Sequence, residues 1–295
     1  MSKEKILVLA VLVCVAALGF QSTASAIVFA GGYTGPVTIK IGDYDMGTTY
    51  NQQPDGTTLT GSALTSQVLA PATGAQPGEN SWGIARITEI DAPGSIPVWM
   101  PSANDFLFVM FYGEKDFQLT QHGQTQYIDG TGMKVDMYET TTNTWNPSQG
   151  SAGRTGLSTY TGVTVGAPIL SLSSLPDFIN ANGNNGGLAT EFESQFNAGA
   201  LSGQGLAYMK ITGGSDAGQW GKNIFATPVS TAAGVPNADI FLNWQIFPND
   251  LTNADWLVKT NDPAQGDIIP EPVSVVIWSL LGVVGLAVGW WRRRA

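Results

Sequence analysis

The sequence predicts a mainly β protein: an antiparallel β-sandwich of jelly-roll-like layout with one short helix. Three features predict it. Short segments of apolar–polar alternation recur along the chain, as half-buried strands require. The gaps between them are rich in turn formers, with 36 Gly and 16 Pro in 295 residues. Only one segment carries apolar residues at convincing helical spacing, and no fixed repeat marks a solenoid.

Residues 36–41 alternate as a strand, and Asp43 to Gly47 read as the turn after it. Residues 52–80 are loop around a short element at 64–69. Residues 82–90 alternate with a phase shift at Ala85-Arg86, which predicts a bulged strand. The next stretch, 91–104, holds Pro93, Gly94, Pro97 and Pro101 and reads as a long loop. Residues 105–112 are nearly all apolar or aromatic, a buried strand; 113–116 turn it and 117–121 return it as a hairpin. A second hairpin is expected from 126–128, a turn at Asp129-Gly130, and 133–139. Residues 140–161 form a polar loop, followed by short strands at 162–165 and 169–172. Leu188, Phe192 and Phe196 are four apart and predict the helix over 188–196, with Glu191 and Glu193 on its wet side. Strands at 206–212, 239–247 and 256–259 complete the body, and 263–269 link it to the tail.

Both ends of the chain read as targeting segments. Lys3 and Lys5 precede an apolar run from 6 to 20, and Ala24-Ser25-Ala26 is a small-residue cleavage box. That is a secretory signal peptide over 1–26, cut after Ala26 by signal peptidase once the translocon has engaged it. At the other end, 273–291 contains no charged residue and Arg292, Arg293 and Arg294 follow it. Nineteen helical residues span roughly 28 Å, close to the bilayer hydrocarbon thickness. Trp290 and Trp291 fall at the interface, and the arginines favour a cytoplasmic C-terminus with the body outside. The β-rich domain is then 27–262 and the tail 270–295, with the membrane helix at 273–291.

Composition narrows the chemistry. The whole chain carries a formal −10 from 13 basic and 23 acidic residues. Without Lys3, Lys5, Arg292, Arg293 and Arg294 the basic residues fall to 8; without Glu4 and Glu271 the acidic ones fall to 21, so the body stands near −13. Such a body is expected to repel nucleic acid and anionic membrane, since both need positive patches. Cys14 is the one cysteine and lies in the signal, so the body has no disulfide and no thiol ligand. With His122 as the one histidine, expected in a surface loop, a zinc or copper site is excluded and no cofactor is implied. Calcium stays open: Asp43, Asp45, Asp129, Asp216 and Asp262 are all expected near turns, where aspartate also serves simply as a turn former. Asp43 with Asp45, and Glu191 with Glu193, are the local carboxylate pairs that glycoside hydrolysis would need, though neither sits in a catalytic motif. Trp82, Trp99, Trp145, Trp220, Trp244 and Trp256 could stack on sugars; Trp145 and Trp220, in polar stretches, are the ones expected at the surface.

Pro270-Glu271-Pro272, an apolar span and a terminal arginine cluster, in that order, resemble the PEP-CTERM sorting signal of Gram-negative bacteria. The resemblance covers about a tenth of the chain. It implies recognition of Pro270, Glu271 and Pro272 by exosortase, removal of the helix, and residence at the cell surface or in an extracellular, exopolysaccharide-containing biofilm matrix. On hydropathy alone the same span serves equally as a lasting anchor. The resulting expectation is an exported, non-enzymatic protein of adhesion or polysaccharide binding. The alternatives are an extracellular hydrolase on a β-scaffold and a structural calcium module.

Overall fold

The computed structural model describes residues 29–30, 33, 35–46, 72–122, 125–175, 191–197, 203–220, 238–246, 256 and 258–268. The signal box at Ala24 and Ala26, the motif Pro270, Glu271 and Pro272, the span 273–291 and Arg292, Arg293 and Arg294 lie outside these residues. Among the described residues no helix is long and apolar enough to cross a membrane.

Thirteen strands are described: β1 Val37–Met46, β2 Ser81–Ala92, β3 Ile96–Trp99, β4 Phe106–His122, β5 Thr125–Thr131, β6 Lys134–Thr140, β7 Arg154–Gly156, β8 Thr159–Tyr160, β9 Leu170–Ser174, β10 Phe192–Asn197, β11 Gly203–Gly213, β12 Ile240–Ile246 and β13 Val258–Ile268. The body is mainly β and every pairing is antiparallel, as the alternation predicts. Eleven strands form one sheet in the order β10-β5-β4-β6-β9-β11-β12-β13-β1-β2-β3, and β2 also pairs with β4. That last pairing closes a ring. β3 and β4 pair with successive halves of β2. β5 and β6 pair with successive halves of β4, and β9 and β10 with successive halves of β11. Three barrel positions are thus each filled by two collinear strands, and eleven strands close an eight-position antiparallel barrel. The sheet packs on itself across a common interior, which gives the two facing layers expected of a sandwich from a single sheet. Among the described strands the connectivity is a meander and not a jelly roll: each ring position neighbours the next in sequence.

Strand parity fixes which side chains enter the barrel. Val37, Ile39, Ala85, Ile87, Leu107, Val109, Val135, Met137, Leu170, Leu172, Phe192, Ala207, Met209 and Ile240 come from all around the ring and pack as one core, the interior. The opposite face of β1, β2, β4 and β6 carries Met46, Trp82, Ile84, Phe108, Met110 and Tyr138, which form a second cluster with Tyr160, Val163 and Trp256. The 3-10 segment Pro147–Gly153 and the β7–β8 hairpin supply its outer cover, with the Trp256 Nε1–H donating to Pro147 O at 2.6 Å and the Trp82 ring 5.3 Å from that of Trp256. Residues 140–161, read as polar loop, therefore bury an outer aromatic layer.

Several expectations are corrected. Asp43 and Asp45 lie within β1. Residues 113–116 do not turn the chain: β4 continues to His122 and meets a bulge at Gly113. Asp129-Gly130 lies inside β5. Gly113 (φ 76°) and Gly132 (φ 80°) face one another, and a Cβ on either would stand 2.9 or 2.7 Å from the other's carbonyl oxygen. Glycine at both positions lets the hairpin bulge without parting. Residues 192–196 of the expected helix are in β10, paired on both sides, while 188–190 lie outside the described residues. The described helical turns are the 3-10 segments Pro147–Gly153 and Ala217–Gln219. Within the stretch read as proline-rich loop, Ile96–Trp99 is β3. The stretch 263–269 read as a linker is instead occupied to Ile268 by β13, the strand that closes the ring against β1.

Candidate functional site at the acidic end of the barrel

The interior is chemically divided along its axis. Where β1 begins and β2 ends it is lined by Val37, Ile39, Ile87, Ile90, Leu107 and Val109. Where β1 ends and β2 begins, the same inward parity delivers acids. Asp43 and Asp45 follow Val37, Ile39 and Ile41 on the inner side of β1, while Tyr44 and Met46 point to the outer cluster. On β4, Gly113 is the extra residue of the bulge, so Glu114 pairs with Ser81 and Phe111 with Gly83, both on the inner side. Asp116 pairs with Gly130, whose inner side is covered by the Phe192 ring. The Ser81 hydroxyl donates to Asp116 Oδ2 at 3.5 Å.

Glu79, just before β2, joins the group from the rim. Its Oε1 accepts from the Gln76 N–H at 2.7 Å and its Oε2 from the Gly113 N–H at 2.8 Å. Arg154 reaches Glu79 at 2.6 Å with both side chains buried, lies 4.4 Å over the Trp82 ring, and donates to the carbonyls of Gly156 and Leu157. Glu79 is thereby neutralised. Burial draws the Arg154 guanidinium down from its ordinary value, and Glu79 opposes that.

The other acids show the consequence of confinement. Asp43 and Asp45 are half-buried as residues; loss of water at the Asp45 carboxyl, then the charge of Asp116, pushes it up to about 8, and its Oδ1 is buried without a hydrogen-bond partner. Glu114 is 7 % exposed. Burial raises it well above the carboxylate range, and Asp45, Asp116, Glu79 and Asp43 add to the rise in that order. Mutual repulsion among carboxylates that have lost water favours the protonated form. Chemically the group can hold protons at neutral pH, donate one, or accept an organic cation. Among the described residues no group of three or more His, Cys, Asp or Glu side chains is placed to hold a metal ion.

The aspartates flagged for calcium are not brought to one place. Asp43 and Asp45 share the acidic end. Asp129 is fully buried on β5 beside Glu193 of β10, and burial, then Glu193, lifts it to about 7. Asp216 caps the 3-10 turn Ala217–Gln219 and accepts from the Ser215 hydroxyl at 2.9 Å; Asp262 is inside β13. Glu193 is 3 % exposed, and Glu191 accepts from the Gly132 N–H at 2.6 Å, so neither is a wet helix face. His122 is the last residue of β4, not a loop residue. Trp220, expected at the surface, is instead buried edge-on against Phe29, while Trp145, 5.7 Å from Phe108, is half-buried and keeps part of its ring exposed. Trp82, Trp99 and Trp256 are buried, and the Trp244 ring covers Gly205 inside the barrel. Glu79, Glu114, Asp116 and Arg154 were not singled out from sequence. The available signal was the two-residue spacing of Glu114 and Asp116, the same as that of Asp43 and Asp45, which puts each pair on one face of a strand.

No family model, curated protein or solved structure matches this chain.

Proposed function

We propose that the chain is an exported, non-enzymatic surface or matrix protein whose barrel binds extracellular polysaccharide, and that exosortase processes it at Pro270, Glu271 and Pro272. The observation that supports the sorting is the order of the parts: a secretory signal ahead of the barrel, and behind it a rigid acidic tripeptide, an uncharged span and Arg292, Arg293 and Arg294. The observation that supports binding is the gathering of Asp43, Asp45, Glu114 and Asp116 inside one barrel end. A protonated amine supplies the counter-charge that lets these raised carboxyls give up their protons, so such a lining suits a glycan bearing amines. Stacking on Trp220 is set aside because that ring is buried.

Intact-mass measurement on the protein from its native host tests the sorting. The expected mass lacks 1–26 and the membrane tail; a mass that retains Arg292, Arg293 and Arg294 overturns it. For the ligand, retention on a deacetylated amino-sugar polymer, lost with Asp45→Asn/Glu114→Gln, is expected. Equal retention on the fully acetylated polymer contradicts the charge reading.

One observation favours a second reading. Carboxyls raised by burial and by one another are the form a general acid takes at neutral pH, so the same end could act on glycosidic bonds. Release of reducing sugar by the wild type and its loss in Glu114→Gln would promote that reading; no release from a panel of polysaccharides removes it.

A further inference from the structure

The chain leaves the barrel at Ile268, which pairs with Val37 at the start of β1. This is the apolar end, opposite the acids. At the same rim β2 turns through Pro93, Gly94 and Ser95 into β3. In the sheet, Asp267, Thr38, Asp91 and Pro97 form one continuous rung across β13, β1, β2 and β3. Three strand steps at about 4.8 Å place β3 about 14 Å from the exit strand. Ile96 and Ile268 each lie one residue further toward the rim than that rung.

This rim is exposed and apolar. Ile96 is 61 % exposed at this rim, with Pro93 and Pro97 beside it also exposed, and Met100, 57 % exposed, follows Trp99, which pairs with Ile90 and so stands lower on the same wall. From 92 to 104 the chain carries no charge, although the body as a whole is strongly acidic. Asp91, at the foot of the turn, is held by Lys40 at 2.6 Å. Only Ile269, Pro270, Glu271 and Pro272 separate the last barrel residue from the uncharged span. Fully extended, four residues reach about 14 Å. A barrel tied that closely to a bilayer must present its Ile268 end to the lipid, and an uncharged turn segment with a protruding apolar side chain is what an interface accepts.

We infer that the β2–β3 turn with Ile96 at its foot, and Met100 lower on the same wall, form a lipid-contacting surface that seats the barrel on the membrane while the tail is still attached, leaving the acidic end pointing away from it. This rests on the reading of 273–291 as a membrane span. Seating fixes the height at which Pro270, Glu271 and Pro272 stand above the lipid, so a membrane-embedded protease meets them in one geometry. It also turns the acidic lining toward the extracellular space.

The test uses residues 27–295, the form left once the signal is removed and free of other cysteines, with one new cysteine, Ile96→Cys, Met100→Cys or Thr73→Cys. Thr73 is exposed in the segment that leads into β2 at the acidic end. Each variant is labelled with an environment-sensitive fluorophore and reconstituted into phosphatidylethanolamine–phosphatidylglycerol vesicles with and without a shallow lipid-borne quencher. The substituted positions are exposed, and thermal melting checks that each variant folds. Flotation with the vesicles reports on the tail, separately from the rim. The expected result is flotation of all three, with blue-shifted emission and severalfold stronger quenching at 96 and 100 than at 73. Flotation with equal quenching at the three positions overturns the seating alone. No flotation overturns the span reading and the seating with it.

Discussion

The two ends of one barrel are built from the same strands and differ in nearly every physical respect. At the start of β1 the inward positions are Val37 and Ile39, backed by Ile87, Ile90 and Leu107, and Phe29 and Trp220 pack into the same core. At its end the same inward parity carries Asp43 and Asp45, facing Glu114 and Asp116. The apolar end is stabilised by removing hydrocarbon from water. The acidic end works against folding, since burial and mutual repulsion raise the Asp45 and Glu114 carboxyls and favour their protonated forms. A closed ring tolerates this because strand hydrogen bonds and the outer aromatic layer hold the shape while one end stays strained by charge. The arrangement sets an apolar core at one end against a largely buried acidic cluster at the other.

The contrast can be broken most strongly at Arg154, the counter-charge of Glu79. Arg154→Met leaves Glu79 buried and unpaired and should cost about 3–5 kcal/mol, read as a lower denaturant midpoint. At the apolar end, Leu107→Ala opens a cavity among Ile87, Val109 and their neighbours and should cost about 2–5 kcal/mol, with no change in pH dependence. Asp45→Asn should act in the opposite direction. Its folded carboxyl lies at about 8 against an ordinary 3.8. A raised carboxyl contributes stability that is complete below its unfolded value and is lost as pH climbs through its folded value. The wild-type barrel should therefore melt at lower temperature as pH rises from about 4 to about 8. Asp45→Asn should flatten that slope and gain about 1 kcal/mol near pH 8. The smallest effect is expected at Lys40, whose side chain is 29 % exposed and pairs with Glu89 and Asp91 on the outer wall. Lys40→Gln should cost no more than about 1 kcal/mol, and less in high salt.

Much of the strand inventory was legible because burial on one face leaves period-two alternation, as at 82–90 and 206–212, each inside a strand of the structure, and at 239–247, of which 240–246 are in β12. The acidic end was hidden for the same reason that it is interesting. Asp43, Asp45, Glu114, Asp116 and Asp129, set beside glycines, are the residues that normally mark turns, so strands running through them were cut short. The expected helix failed on an ambiguity of spacing. Residues four apart share a helical face, but they also share a strand face, and Phe192 on β10 satisfies the second. Ring closure was beyond reach because β1 pairs with β13 from the far end of the body, and no local pattern encodes that partner. Trp220 sat in a polar stretch and was expected outside, yet its ring closes the apolar end against Phe29. Sequence neighbours do not report on what the barrel brings together from a distance.

The central statement is that one end of the barrel confines carboxyls away from water. Carbon-13 NMR of the side-chain carboxyls across a pH titration tests it most directly, with the Asp45 resonance assigned by its absence in Asp45→Asn. The account predicts that Asp45 titrates with a midpoint near 8 and that Glu114 also titrates well above the ordinary carboxylate range. If both titrate as exposed carboxylates do, near 4, the acids are solvated and the division of the barrel into two ends is contradicted.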